Sequence, residues 1–153
     1  MPNRDEILSN LGQSLAEING SSRFWNKVSA VGSTLKTYDE LGASEIPWLG
    51  YWPTETSPGP VAFPFGDELH TLEVQLIGVV NATLDTRTTA LARLEQDIRT
   101  ALYADRSRGG YAVDTRITGA PITDEGNPDK QGLNGSRATL TLVVQCIYFP
   151  DDP

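Results

Sequence analysis

The chain has 153 residues, with 12 Lys plus Arg against 20 Asp plus Glu, and a formal net charge of −8 at pH 7. At 39% hydrophobic and 21% charged it has the composition of a folded domain, expected as one unit over residues 1–153 with a core that needs no covalent staples. The acidic balance argues against wrapping a phosphate backbone, and the single cysteine, Cys146, excludes an internal disulfide, a CxxC pair and a cysteine-based zinc site. No apolar run approaches the roughly 20 residues of a membrane span, and Met1-Pro2-Asn3-Arg4-Asp5-Glu6 carries no signal-peptide core. Synthesis in a cytoplasm, with no membrane partner, is the expectation.

The first element reads as an amphipathic helix. Asn3 is placed to cap it, Asp5 and Glu6 suit its first turn, and Ile7, Leu8, Leu11, Leu15 and Ile18 recur on one stripe. Asn19-Gly20 should close it. Phe24 to Val31 alternates weakly and is a strand candidate, and Thr37 to Gly42 fits a short helical turn. The stretch 46–66 is rich in prolines and aromatics, from Ile46-Pro47-Trp48-Leu49-Gly50-Tyr51-Trp52-Pro53 through Pro58, Pro60 and Pro64. Prolines cannot donate to a ladder, so only Trp48 to Trp52 is read as a strand, with an extended loop after it. Its aromatics could cap a core or dock on a neighbouring chain.

His70 to Val80 is the clearest strand, with His70, Leu72, Val74 and Leu76 on one face and Thr71, Glu73 and Gln75 on the other. Ile77 and Val79 turn the second face apolar further along. A second helix follows, capped by Asp85 or Thr83 and carrying Leu91, Leu94, Ile98, Ala101 and Leu102, with Gly109-Gly110 as its stop. Tyr111 to Thr118 is a further strand candidate, and Gly119 to Gly135 reads as a flexible polar loop. The last strand, 136–149, puts Ala138, Leu140, Leu142, Val144, Cys146 and Tyr148 on one face and Thr139, Thr141, Val143, Gln145 and Ile147 on the other.

This order predicts an α+β fold: two main helices packed on one face of a mostly antiparallel sheet of four to five strands. The final strand would span about 40 Å at about 3.3 Å per residue, matching the diameter of about 38 Å expected for a domain of this size. Long strands should therefore reach the edge of the body or extend from it.

Chemistry-bearing motifs are sparse. His70, the only histidine, shares parity with Leu72 and Val74 and lacks a GxSxG or HExxH context. Cys146 falls on an apolar strand face, where burial makes a thiol inert. The acidic loop Asp124, Glu125, Asn127, Asp129 lacks the spacing of a calcium loop. Gly109-Gly110 follows a helix instead of preceding one, which does not suit a phosphate site. Arg106 and Arg108 are placed to complement a helix C-terminus. Glycosylation-type triplets at Asn19, Asn81 and Asn134 fall at turns and carry no weight without a secretory signal. No catalytic residue, cofactor site or metal site is assigned.

Several segments taken together resemble the tail terminator proteins of long-tailed bacteriophages, also called minor tail or tail completion proteins. They are the helix Ile7 to Ile18, the stretch Ile46-Pro47-Trp48-Leu49-Gly50-Tyr51 and the strand Leu72-Glu73-Val74-Gln75-Leu76-Ile77-Gly78-Val79. The helix end Asp97-Ile98-Arg99-Thr100-Ala101-Leu102, the Gly109-Gly110 turn and the final Val143-Val144-Gln145-Cys146-Ile147-Tyr148-Phe149 complete the set. The proline run Pro53 to Pro64 departs from the family pattern by its length.

The resemblance implies a non-enzymatic virion subunit in the neck region of the tail. Identical copies would form a ring, a hexamer in this family, on the head-proximal end of the tail tube. The ring's partners would be the tube protein and the head-side connector, and genomic DNA would pass through its lumen without specific binding. The strand 70–80, the loop 121–135 and the strand 136–149 are the expected contact elements. Thr71, Glu73, Gln75, Thr139, Thr141 and Gln145 are the interface candidates, because they face away from the presumed helix-covered side. Another neck component, such as a head-closure protein, is the nearest alternative. A cytoplasmic enzyme or ligand-binding domain using His70 is a more distant one.

Overall fold

The computed structural model describes residues 3–33, 43–62, 67–82, 85–124 and 137–149. Helix α1 (Asn3–Ala16) buries Ile7, Leu11 and Leu15 completely, and Ile18 follows just beyond its end. Its exit is tight. The Ile18 N–H donates to the Leu15 carbonyl at 3.2 Å, and the chain turns at Gly20 with φ +76.

The strand expected from Phe24 to Val31 is shorter than its alternation suggested: only Ala30–Gly32 forms β1. The preceding backbone has other partners. Asn19 and Lys27 make an isolated bridge, Val28 N–H donates to Ile18 O at 2.8 Å, and the Trp25 and Asn26 N–H groups donate to the Asp97 carboxylate. Donors satisfied in this way need no strand neighbour. The turn expected over 37–42 lies outside the described residues, and a short 3-10 turn, Ala43–Glu45, follows.

Strand β2 (Trp48–Ala62) corrects the loop expected after Trp52: it runs 15 residues, through Pro53, Pro58 and Pro60. Among the described residues β1 pairs with β2 only at Trp48 to Gly50, so the rest of β2 lies at the edge of the sheet. There a proline nitrogen can point outward without breaking the inner ladder. Shifts in register between Pro53 and Glu55, and between Pro58 and Val61, absorb the remaining misfit.

Strand β3 (Asp67–Asn81) contains the predicted 70–80 segment, and α2 (Arg87–Tyr103) follows. The α2 N-cap is Thr86, with no side-chain cap bond, in place of Asp85; Thr83 lies outside the described residues. Strand β4 (Asp114–Asp124) starts later than expected and occupies 119–124, which the sequence had assigned to loop. Strand β5 (Arg137–Tyr148) lies within its expected span of 136–149. The strand order is β1-β2-β3-β5-β4, with β1 and β2 parallel and every other pair antiparallel. Two helices and a mixed five-stranded sheet make an α+β fold.

Even-numbered positions of β3 and β5 build the core. Leu72 pairs with Cys146, Val74 with Val144 and Leu76 with Leu142, and all join one cluster with the buried stripes of α1 and α2. Gly78 lets α2 come close, because a Cβ there would lie 2.6 Å from Leu94 Cδ2 and 3.0 Å from Leu49 Cδ2. Gly78→Val should therefore cost about 2 kcal/mol or more in urea unfolding. Leu94→Ala should relieve part of that cost, so the double variant should lose less than the sum of the single losses.

Candidate functional site

Opposite the main core, the odd-numbered positions of β3 and β5 make a second sheet face. The residues Thr71, Glu73, Gln75, Thr139, Thr141 and Gln145 all lie there, each half-buried. Strand parity brings them together. Glu73 lies across from Gln145, Thr71 across from Ile147, Gln75 across from Val143, Thr141 across from Ile77 and Thr139 across from Val79.

The register extends these pairs into rows across the sheet. Trp52, Gln75, Val143 and Thr118 form one row, and Glu55, Glu73, Gln145 and Arg116 form the next. The face mixes apolar and hydrogen-bonding side chains within single rows. That composition suits partial cover by another surface.

One end of this face already has its own small core. Trp48 is 2% exposed and packs with Ile46 and Val79, against Ala30 and Ile77. Its indole lies over Gly32 and fills the space that a Cβ on Gly50 would take. Thr139 and Thr141 thus flank a dry patch, whereas Glu73 and Gln145 lie in the polar row further along. Trp48, Trp52 and Arg116 were absent from the predicted site, since cross-sheet register cannot be read from one strand at a time.

The β4 edge is organised by Asp114. Its carboxylate accepts from Arg106 at 2.7 and 3.2 Å and from Arg116 at 2.9 Å. The Arg106 bonds, then the Arg116 bond, hold this carboxyl well below the usual carboxylate range. Arg106, which also lies 4.5 Å over the Tyr103 ring, is shifted upward by the same pairing. A depressed carboxyl stabilises the fold above its unfolded value, so this contribution is present above about pH 4 and drains as the pH falls through the folded value. Asp114→Asn should accordingly flatten the acid limb of a stability-versus-pH curve.

The remaining chemical candidates have structural settings. Cys146 is fully buried, and burial, only partly offset by the Thr115 hydroxyl at 4.0 Å, pushes its thiol up to about 11. Because the raised group favours the fold only while protonated, that stability is full below the unfolded value of about 8.5 and is lost as pH rises toward the folded one. Iodoacetamide should leave the native chain unlabelled at neutral pH and label it once it is unfolded in urea. Rapid native labelling would contradict a buried thiol.

His70 is half-buried near one end of β3, edge-on to the Tyr148 ring with centroids 5.9 Å apart. The acidic stretch after Asp124 lies outside the described residues. Among the described residues, no group of three or more His, Cys, Asp or Glu side chains could hold a metal ion. Likewise, no helix there is long and apolar enough to cross a membrane.

The turn after α2 does not work as a glycine stop alone. The helix ends at Tyr103, and the Asp105 carboxylate accepts from Ser107 N–H at 3.0 Å, Ser107 hydroxyl at 2.6 Å and Gly109 N–H at 2.8 Å. The Ser107 hydroxyl first, then the Gly109 amide, lowers the Asp105 carboxyl. Amides that an anion would need are thus occupied by the chain's own carboxylate.

Arg108 is completely buried and donates to the carbonyls of Leu102 and Asp105 and, at 2.9 Å, to Ser14 Oγ of α1. It therefore closes the C-terminus of α2, satisfying the Leu102 carbonyl that the helix leaves over and the Asp105 carbonyl just beyond it. Arg106, the other expected helix-end residue, serves Asp114 instead. No family model matches the chain, and no curated protein matches it.

Proposed function

We propose that this chain is a structural virion protein that forms a ring at the head-proximal end of a phage tail tube. The ring stops tube polymerisation and offers the surface on which head and tail join. The observation that carries this reading is the half-buried sheet face on which Thr71, Glu73, Gln75, Thr139, Thr141 and Gln145 lie beside Trp52, Ile77 and Val143. In this reading both helices cover the opposite face, and the long strands β2, β3 and β5 project past the helix-covered body toward neighbouring subunits. A ring needs different surfaces that meet head to tail with a rotation that closes.

The subunit is made in the host cytoplasm and resides in the neck of the virion. Its partners are its own copies, the tube protein and the head-side connector, with no membrane involved. A net charge of −8 favours solubility before assembly and a lumen through which DNA passes without adhering. Electron microscopy of particles assembled without this protein tests the role. Overlong or ragged tails are expected. Tails of normal length detached from heads would assign the chain to head closure instead.

A further inference from the structure

Trp25 is 59% exposed, the most exposed large apolar side chain among the described residues, and yet it is held in place. Its N–H donates to Asp97 at 2.8 Å, its indole Nε1 donates to Gln96 Oε1 at 3.1 Å, and the Arg93 guanidinium lies 4.5 Å from its ring centroid. Beside it Arg23 lies 5.2 Å over the Phe24 ring, and Lys27 is exposed. This is a basic, aromatic knob on a chain of net charge −8. Tryptophan and arginine supply most interface hot spots, and a side chain already ordered loses little entropy on docking.

The open sheet face carries the opposite need. Glu73 is half-buried there, and the residue across from it on β5 is the uncharged Gln145. The cation in that row, Arg116, stands on β4 beyond Gln145 and is already bonded to Asp114. In the adjoining row Trp52 pairs with Gln75, an apolar and hydrogen-bonding floor of the kind an indole fits.

We propose that the Trp25 knob of one copy docks on the open sheet face of a second copy, with Arg93 brought to Glu73. The proposal rests on the annular reading and adds the surface that meets the open face. Knob and floor are different patches, so the contact is heterologous and can propagate around a ring.

Sedimentation velocity on the full chain tests it, comparing the natural sequence with Arg93→Glu, Glu73→Arg and the double variant, each checked for folding by thermal melting. Each single reversal should weaken self-association at least about tenfold, because like charges then meet in the contact, and the double variant should recover most of the loss. Should a reversal unfold the chain, Arg93→Gln and Glu73→Gln carry the same comparison through loss of the pair. Variants that associate like the natural chain, or a double variant that does not recover, overturn this docking while leaving the ring reading intact. A natural chain that stays monomeric at every concentration overturns both.

Discussion

Asp97→Ala is expected to lower the unfolding free energy by about 3 kcal/mol, because it orphans a set of donors instead of trimming a contact. The carboxylate is 1% exposed and accepts from Trp25 N–H, Asn26 N–H and Asn26 Nδ2, all at 2.8 Å. These bonds give the backbone of Trp25 and Asn26 the partners that a strand ladder would otherwise supply. Hydrogen bonds to a charged acceptor are worth about 1.5–3 kcal/mol each, and water reaching the part-buried segment returns some of the loss, so the net lies well below the sum. Asp97→Asn keeps one acceptor and should cost less than Asp97→Ala. Urea unfolding gives the stabilities, and limited proteolysis should show cleavage within 20–29 appearing first in the alanine variant. A loss below about 1 kcal/mol would mean that other contacts hold this segment.

Val143→Lys is expected to abolish self-association while leaving the fold standing. Val143 is half-buried on the open face, across from Gln75 on β3 and Thr118 on β4. A lysine there keeps its charge in water in the lone subunit, so the fold should lose no more than about 1 kcal/mol, the span of strand preference. In an assembled contact the same ammonium loses its water. An unpaired charge buried in an interface costs about 2–5 kcal/mol, which is roughly 30-fold to several thousandfold in affinity. Melting temperature and sedimentation measured together separate the effects. Unchanged association would remove this face from the contact, whereas a collapsed melting temperature would show that Val143 serves the subunit's own core.

The two long central strands were legible because period-two alternation survives where one face is buried. Leu72, Val74, Leu76, Leu140, Leu142 and Val144 all fall where parity put them. Legibility failed where partners are remote or edges matter. Nothing near Phe24 to Val31 reveals that its donors go to a carboxylate 72 positions away. One signal did exist: Asp97 sits three residues after Leu94 and just before Ile98, an acidic group on an apolar helical stripe, which calls for buried donors. β2 defeated the proline rule because only its first residues are flanked by β1. Arg108 was legible as a helix-end cation, but its full burial and its reach to Ser14 depend on how α1 and α2 pack. Of the candidate face, the polar members were visible from each strand alone. The Trp48 patch needed the register.

The central claim is that copies of this chain close into an annulus through the open sheet face. Sedimentation velocity of the natural chain from micromolar to millimolar concentration, with negative-stain microscopy of the largest species, addresses it most directly. The account predicts one discrete closed oligomer that grows with concentration at the expense of monomer and appears as rings. A single monomeric boundary throughout, or open chains of unlimited length, would contradict it.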